Sequence, residues 1–306
     1  MADQQGRTGA SGVAVAAGLG AIVAVVAGWR ALRRATADRE LNPVGRALIT
    51  GASSGIGEAF ARRLAADGYD LTLVARREER LHALADELGA AHGIRADVLA
   101  ADLARDEDIA RVAGVIESMA DLTLLINNAG FGTRGTFTEV PLERHLDMMR
   151  VHDSASVALS WAAVPLMVAR GGGAIINVSS IAAFFPSGGS VTYTASKVFL
   201  NNFSEALAGE LYGTGVKVQA LCPGFTYSEF HETPEYARFD RGQIPEPLWM
   251  PAGQVVDESL AALSGARVIV VPGRQYQGIA IALNSPLRGT IRKVARTLRQ
   301  RWHPPR

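Results

Sequence analysis

The stretch that most constrains this chain is Thr50-Gly-Ala-Ser-Ser-Gly-Ile-Gly57, set between a strand-like run, Arg46–Thr50, and a helix-like run from Gly55. Gly51, Gly55 and Gly57 allow a tight turn, close approach of backbone to a pyrophosphate and close packing of helix on strand. The free N–H groups opening the next helix then favour phosphate. A glycine pattern alone says little, but here it stands in the strand–turn–helix context that gives it meaning. The expected nucleotide contacts are Gly51, Ser53, Ser54, Gly55, Ile56 and Gly57.

The alternation repeats down the chain. Strands are expected at 46–50, 70–75, 92–98, 122–127, 174–178, 216–221 and 267–271. Helices are expected at 55–67, 78–88, 106–119, 142–169 (with a kink at Pro165), 193–212 and 255–263. Near-continuous apolar strands alternating with helices predict an α/β, doubly wound parallel sheet of Rossmann type, covered on both faces. A composition of 48% hydrophobic and 20% charged residues suits one such core and argues against general disorder. The single cysteine, Cys222, excludes an intramolecular disulfide framework and is read as a small core residue. The scattered histidines suggest no metal site.

The end of the second strand separates the two nicotinamide cofactors. An acid there holds a ribose 2′-hydroxyl, and an arginine accepts a 2′-phosphate. The chain reads Leu73-Val-Ala-Arg-Arg77, with no acid until Glu78, so Arg76 and Arg77 favour NADP(H) over NAD(H).

Further on, Tyr193 and Lys197 stand four apart, on one face of a helix. A nearby ammonium favours phenolate over phenol and lowers the tyrosine pKa, which suits proton exchange with an alcohol or carbonyl oxygen. Ser180 is placed to donate a hydrogen bond to the same oxygen.

Taken in order, the glycine turn, Asn127-Asn128-Ala129-Gly130, Ser180, Tyr193-x-x-x-Lys197 and Pro223-Gly224 resemble the short-chain dehydrogenase/reductase family over about residues 45–273. The resemblance implies roles position by position. Asp102-Leu103 would meet the adenine ring, with Asp97 as the alternative. Asn128, Ala129 and Gly130 would border the cofactor. Ser180 and Tyr193 would be catalytic, and Lys197 would be tuner and ribose ligand. Pro223 and Gly224 would border the nicotinamide, and Thr226 and Ser228 would hold its carboxamide. One position departs from the pattern: His152 stands where the family often has an asparagine whose environment holds a relay water. His152 is a relay member of different chemistry, or a neutral packing histidine, or the mark of lost activity. A register shift of one residue would bring in Asp153.

The ends suggest a location. Residues 1–11 form a leader, and residues 12–29 are 18 residues without a charge, ~27 Å as a helix. Arg30, Arg33 and Arg34 follow, so a single-pass anchor would leave the bulk of the chain in the cytoplasm. A signal peptide and a buried or disordered leader are the alternatives. A linker, 30–44, leads to the reductase domain, 45–273, and a basic extension, 274–306. After Glu258 come nine basic residues and no acid; of a net +1, the first 258 residues therefore hold about −8. Residues 286–301 read as a basic amphipathic helix suited to an anionic membrane surface, and no nucleic-acid motif accompanies it.

Phe225, Tyr227, Phe230, Tyr236, Phe239 and Trp249 make the segment after the sixth strand aromatic, as a lid over an apolar ligand would be. The expected activity is NADPH-dependent reduction of a lipid-like ketone or aldehyde, or the reverse oxidation. The competing reading is a membrane-tethered NADP(H)-binding scaffold without turnover. Pairing of two copies through the helices at 142–169 and 193–212 is a further expectation of the resemblance.

Overall fold

A computed structural model describes residues 45–185, 188–236 and 239–284. The leader, the anchor at 12–29, the linker and the basic helix at 286–301 lie outside the described residues.

Seven strands form one parallel sheet in the order β3-β2-β1-β4-β5-β6-β9. They are β1 (Arg46–Thr50), β2 (Asp70–Ala75), β3 (Ala96–Ala100), β4 (Leu122–Asn127), β5 (Gly173–Val178), β6 (Val216–Leu221) and β9 (Ile269–Val270). Every residue of β1, β4 and β5 is buried, as central strands covered on both faces must be.

Helices α1 (Gly55–Ala66), α2 (Glu78–His92) and α6 (Ala252–Ala262) cover one face. Their core includes Phe60, Leu64, Leu81 and Val255. Helices α3 (Asp106–Glu117), α4 (Leu142–Arg170) and α5 (Val191–Glu210) cover the other, around Ile109, Val112, Leu159 and Met167. The strand order reverses between β1 and β4, and that switch point opens the crevice where such sheets take ligands.

Most elements end within three residues of expectation, and three features differ in kind. α2 runs on to His92, so β3 starts at Ala96 instead of 92. In α4, the helix continues through Pro165, and the irregularity is a π-turn at Arg150–Ser154. A last helix, α7 (Arg274–Asn284), packs Tyr276 and Ala280 into the core, which carries the folded unit past residue 273.

Among the described residues, one helix, Leu142–Arg170, is long and apolar enough to cross a bilayer. It packs on α3 and β4, so its apolarity is that of a core helix.

At the N-terminal edge of the sheet, buried Arg46 pairs with Asp70, Asp97 and Asp121. Asp97 is thus committed at the edge opposite the crevice, which removes it as the adenine contact.

Candidate active site

The glycine turn is built as its sequence requires. Gly51 and Gly55 take φ of +67° and +60°, open to glycine at no steric cost. Thr50, which the motif reading passed over, holds the next layer: its Oγ1 accepts from the N–H groups of Asn128 and Ala129, each at 3.0 Å. Asn128 Nδ2 returns a hydrogen bond to the Thr50 carbonyl at 2.9 Å. The Asn128–Gly130 turn therefore buttresses the glycine turn across the switch point.

At the end of β2, Arg77 bends over that turn. Its Nε and Nη2 donate to Ser53 Oγ at 3.1 and 3.0 Å, and Nη2 donates to Ser54 Oγ at 2.8 Å. Arg76 is exposed beside it and makes no such contact among the described residues. Arg80 joins instead, meeting Glu229 as Arg77 does. The signal for Arg80 was local: it lies three residues past Arg77, on the same face of α2. These hydroxyls and guanidinia form a seat that already holds a carboxylate, so it fits an anion such as a cofactor 2′-phosphate. Asp102 Oδ1 accepts from the Ala104 N–H at 3.1 Å, and Leu103 is buried beside it.

Ser180, Tyr193 and Lys197 meet at the C-terminal end of β5. Lys197 is 5% exposed and donates to the Val178 carbonyl at 2.9 Å, with Nζ 5.6 Å from the Tyr193 ring centroid. Ser180 hydrogen-bonds to Tyr193 and also accepts from the Ala182 N–H at 3.1 Å. Burial brings the ammonium of Lys197 down to about 8. Burial also pushes the Tyr193 phenol up, against the pull of the Ser180 hydrogen bond. The expected lowering of the tyrosine by Lys197 does not emerge: burial and the nearby Cys222 raise the phenol, and the Ser180 hydrogen bond is what pulls it down. The phenol keeps its proton at neutral pH, as a proton donor must.

His152 sits behind this pair, 1% exposed, in the π-turn of α4. The Phe131 N–H donates to its Nε2 at 3.1 Å, so that nitrogen is bare. Nδ1 then carries the hydrogen and donates to Ser196 Oγ at 2.8 Å, which in turn donates to the Tyr193 carbonyl at 2.9 Å. Burial, with Lys197 nearby, holds His152 well below its ordinary value, hence neutral. Both ring nitrogens are spent on joining the 131 loop to α5. The His152 carbonyl, where the resemblance would lodge a water, accepts from Ser156 Oγ at 2.6 Å. The neighbouring Asp153 carries a buried oxygen, Oδ1, without a hydrogen bond, and burial lifts its carboxyl to about 6.

Pro223 and Gly224 close the far side, with the Tyr276 ring lying against Gly224. Thr226 and Ser228 spend their hydroxyls locally, donating to the carbonyls of Gly224 (3.1 Å) and Thr226 (3.4 Å). Thr226–Tyr227 (β7) pairs with Met250–Pro251 (β8), and the lid runs between them in short 3-10 turns. Its aromatics pack largely on one another: Phe225 stands 5.3 Å from Trp249, Tyr227 5.2 Å from Trp249 and His231 4.6 Å from Phe239. Two of these rings, Phe230 and Tyr236, also reach beyond the cluster. Phe230 faces Tyr193 at 6.0 Å, and the Tyr236 hydroxyl lies against Gly132. Cys222 is fully buried and its thiol is pushed up to about 12 by burial, as a core residue.

The short chain dehydrogenase profile matches residues 46–236. The chain is 39% identical over 181 residues to a very-long-chain 3-oxoacyl-CoA reductase of Pyrenophora tritici-repentis, covering 57% of this chain and 53% of that protein. It is 37% identical over 191 residues to a serine 3-dehydrogenase of Rhizobium radiobacter, covering 61% of this chain and 74% of that one. The chain thus spans about half the length of the first relative and about three-quarters of the second. A solved short-chain dehydrogenase from Sphingobium yanoikuyae, in complex with NADPH, superposes with a TM-score of 0.70 at 34% identity, over 83% of this chain and 94% of that one.

Proposed function

The chain belongs to the short chain dehydrogenase family of oxidoreductases, and from that premise we propose that it is an NADPH-dependent reductase of an apolar ketone or aldehyde. The observation that carries this reading is the meeting of Ser180, Tyr193 and Lys197 beside the glycine turn. A bound nicotinamide supplies the hydride. Tyr193, protonated at neutral pH, gives its proton to the carbonyl oxygen. Ser180 donates a hydrogen bond to the same oxygen and stabilises its developing charge. Lys197 sits behind the ring as a cation that favours the phenolate left after transfer. His152 positions α5 and takes no proton.

The Arg77–Ser53–Ser54 cluster, with Arg80, supports NADP(H) over NAD(H), and the NADPH-bound relative agrees with it. The relatives' names span a very-long-chain thioester and an amino acid, so they select no substrate. Phe230 against Tyr193, with Tyr236 beside Phe230 and Phe131 beside His152, favours an apolar one. The uncharged run 12–29 adds a single-pass anchor, with the catalytic unit on the cytoplasmic side.

The test uses full-length protein in detergent with NADPH and a panel of apolar ketones and 3-oxoacyl thioesters. NADPH oxidation by wild type and its loss in Tyr193→Phe uphold the reading. NADPH binding without turnover of any panel member sinks it. Deleting residues 1–30 is expected to release the protein from membranes; continued membrane association would remove the anchor from the proposal.

A further inference from the structure

Arg77 and Arg80 are bridged by one carboxylate. Arg77 Nη1 donates to Glu229 Oε2 at 2.7 Å, and Arg80 Nη1 donates to Glu229 Oε1 at 2.6 Å. Glu229 belongs to the lid, 152 residues from Arg77 in sequence. The preceding Ser228 presses on the glycine turn, its β-carbon 2.9 Å from where a β-carbon on Gly55 would stand. The Arg77 fork is thus shared: Nε and Nη2 serve Ser53 and Ser54, while Nη1 serves the lid.

Resting on the NADP(H) reading above, we propose that Glu229 is a specificity-determining residue: its carboxylate occupies the arginine seat that a cofactor 2′-phosphate takes. The two anions are then mutually exclusive on Arg77 and Arg80. They need the same donors, and like charges at that separation repel. The phosphate brings more charge and more acceptor oxygens than the carboxylate, so it wins the seat, but against competition. Apparent affinity is scaled down to the fraction of molecules in which the seat is free. The side chains of Arg77, Arg80 and Glu229 are 43%, 53% and 42% exposed, so the latch is weak, worth about fivefold. A cofactor without the phosphate has no need to displace Glu229. Glu229 therefore narrows the preference for NADPH, and arrival of the phosphate frees the lid from α2.

Isothermal titration of full-length protein in detergent tests this with four ligands: NADPH, NADH, adenosine 2′,5′-bisphosphate and 5′-AMP. In Glu229→Gln, NADPH and the bisphosphate are expected to bind about fivefold more tightly, and NADH and 5′-AMP to stay within twofold of wild type. Unchanged affinity for the phosphate-bearing pair overturns the proposal. Equal tightening of all four overturns it too, because the lid would then hinder the cofactor without reading its phosphate. The Arg77→Ala/Arg80→Ala double variant separates the two layers. If it weakens only the phosphate-bearing pair while Glu229→Gln changes nothing, the NADP(H) reading stands and the Glu229 proposal falls. If it weakens all four ligands alike, the NADP(H) reading fails and takes this proposal with it.

Discussion

The bench beneath Tyr193 and the lid above it are held together by different physics. In the bench, buried side chains hydrogen-bond in series across elements. Asn127 Nδ2 donates to Asn177 Oδ1 at 2.8 Å, Asn177 Nδ2 to Ser204 Oγ at 2.9 Å, and Ser179 Oγ to the Lys197 carbonyl at 2.9 Å. His152 and Ser196 extend the series to the 131 loop. In the lid, hydroxyls answer their own backbone, rings stack on rings, and the outward contacts are partly exposed ion pairs such as Arg144–Glu235 and Arg77–Glu229. Unmet polar groups cost most where water is absent. The bench is thus fixed before ligand arrives, whereas the lid is held by contacts that a ligand can replace. Changes in the bench are expected to alter kcat and stability, and changes in the lid to alter KM and binding.

The largest effect expected is in the bench. Tyr193→Phe removes the proton donor and should lower kcat by ~10²–10⁴, with melting temperature nearly unchanged and NADPH affinity retained in titration. A fall in KM-related terms alone would place Tyr193 among the binding groups. His152→Ala comes next. It leaves the Phe131 N–H without an acceptor and the Ser196 oxygen without its donor in a dry site, at a cost of roughly 2–3 kcal/mol, read as a lower melting temperature. Because His152 is neutral in the ordinary range, the pH–rate profile between pH 5 and 7 should not move. A moved acid limb would make it a proton relay after all.

How much of this was legible in the sequence follows the same division. The sheet could be read because its central strands are near-continuous apolar runs and its glycine turn is local. Tyr193 and Lys197 could be read because helical spacing fixes their shared face. β3 was misplaced because Ala96-Asp-Val-Leu-Ala100 has little strand character, while the Ala/His run before it continues α2. Ser196 under His152, Glu229 on Arg77 and Tyr276 under the lid are contacts between distant segments, and no local spacing encodes them. Asp153 was named only as a register alternative, and its orphaned oxygen required the π-turn to be seen.

Asp153 supplies the third effect. Its folded pKa, about 6, lies above the ordinary 3.8. The folded state therefore holds this proton more tightly than the unfolded one. The corresponding stability is fully present below about 3.8 and is lost as pH rises through about 6. Taken whole, that rise would be worth about 3 kcal/mol, and partial solvation leaves roughly 1–2. Asp153→Asn should therefore melt several degrees higher than wild type at pH 7.5 and equally at pH 4. Because Asp153 also raises Lys197, the variant should shift the alkaline limb of activity to lower pH. Parallel stability curves for the two proteins across pH 4–8 would mean that the carboxyl is solvated.

The smallest effect is expected where the lid meets the bench, at Tyr276. Its hydroxyl accepts from the Phe225 N–H at 2.9 Å and donates to the Leu248 carbonyl at 2.5 Å, so one side chain pins both ends of the lid. The ring itself is 3% exposed and packs in the core, which Tyr276→Phe preserves. Only the two hydrogen bonds go, at about 1 kcal/mol. If the lid is held separately from the bench, this loss should raise KM for an apolar ketone several-fold, leave kcat almost unmoved and lower the melting temperature by only about 2–4 °C. An equal fall in kcat would mean that lid and bench are one unit, because loosening the lid would then have displaced Tyr193 through its contact with Phe230.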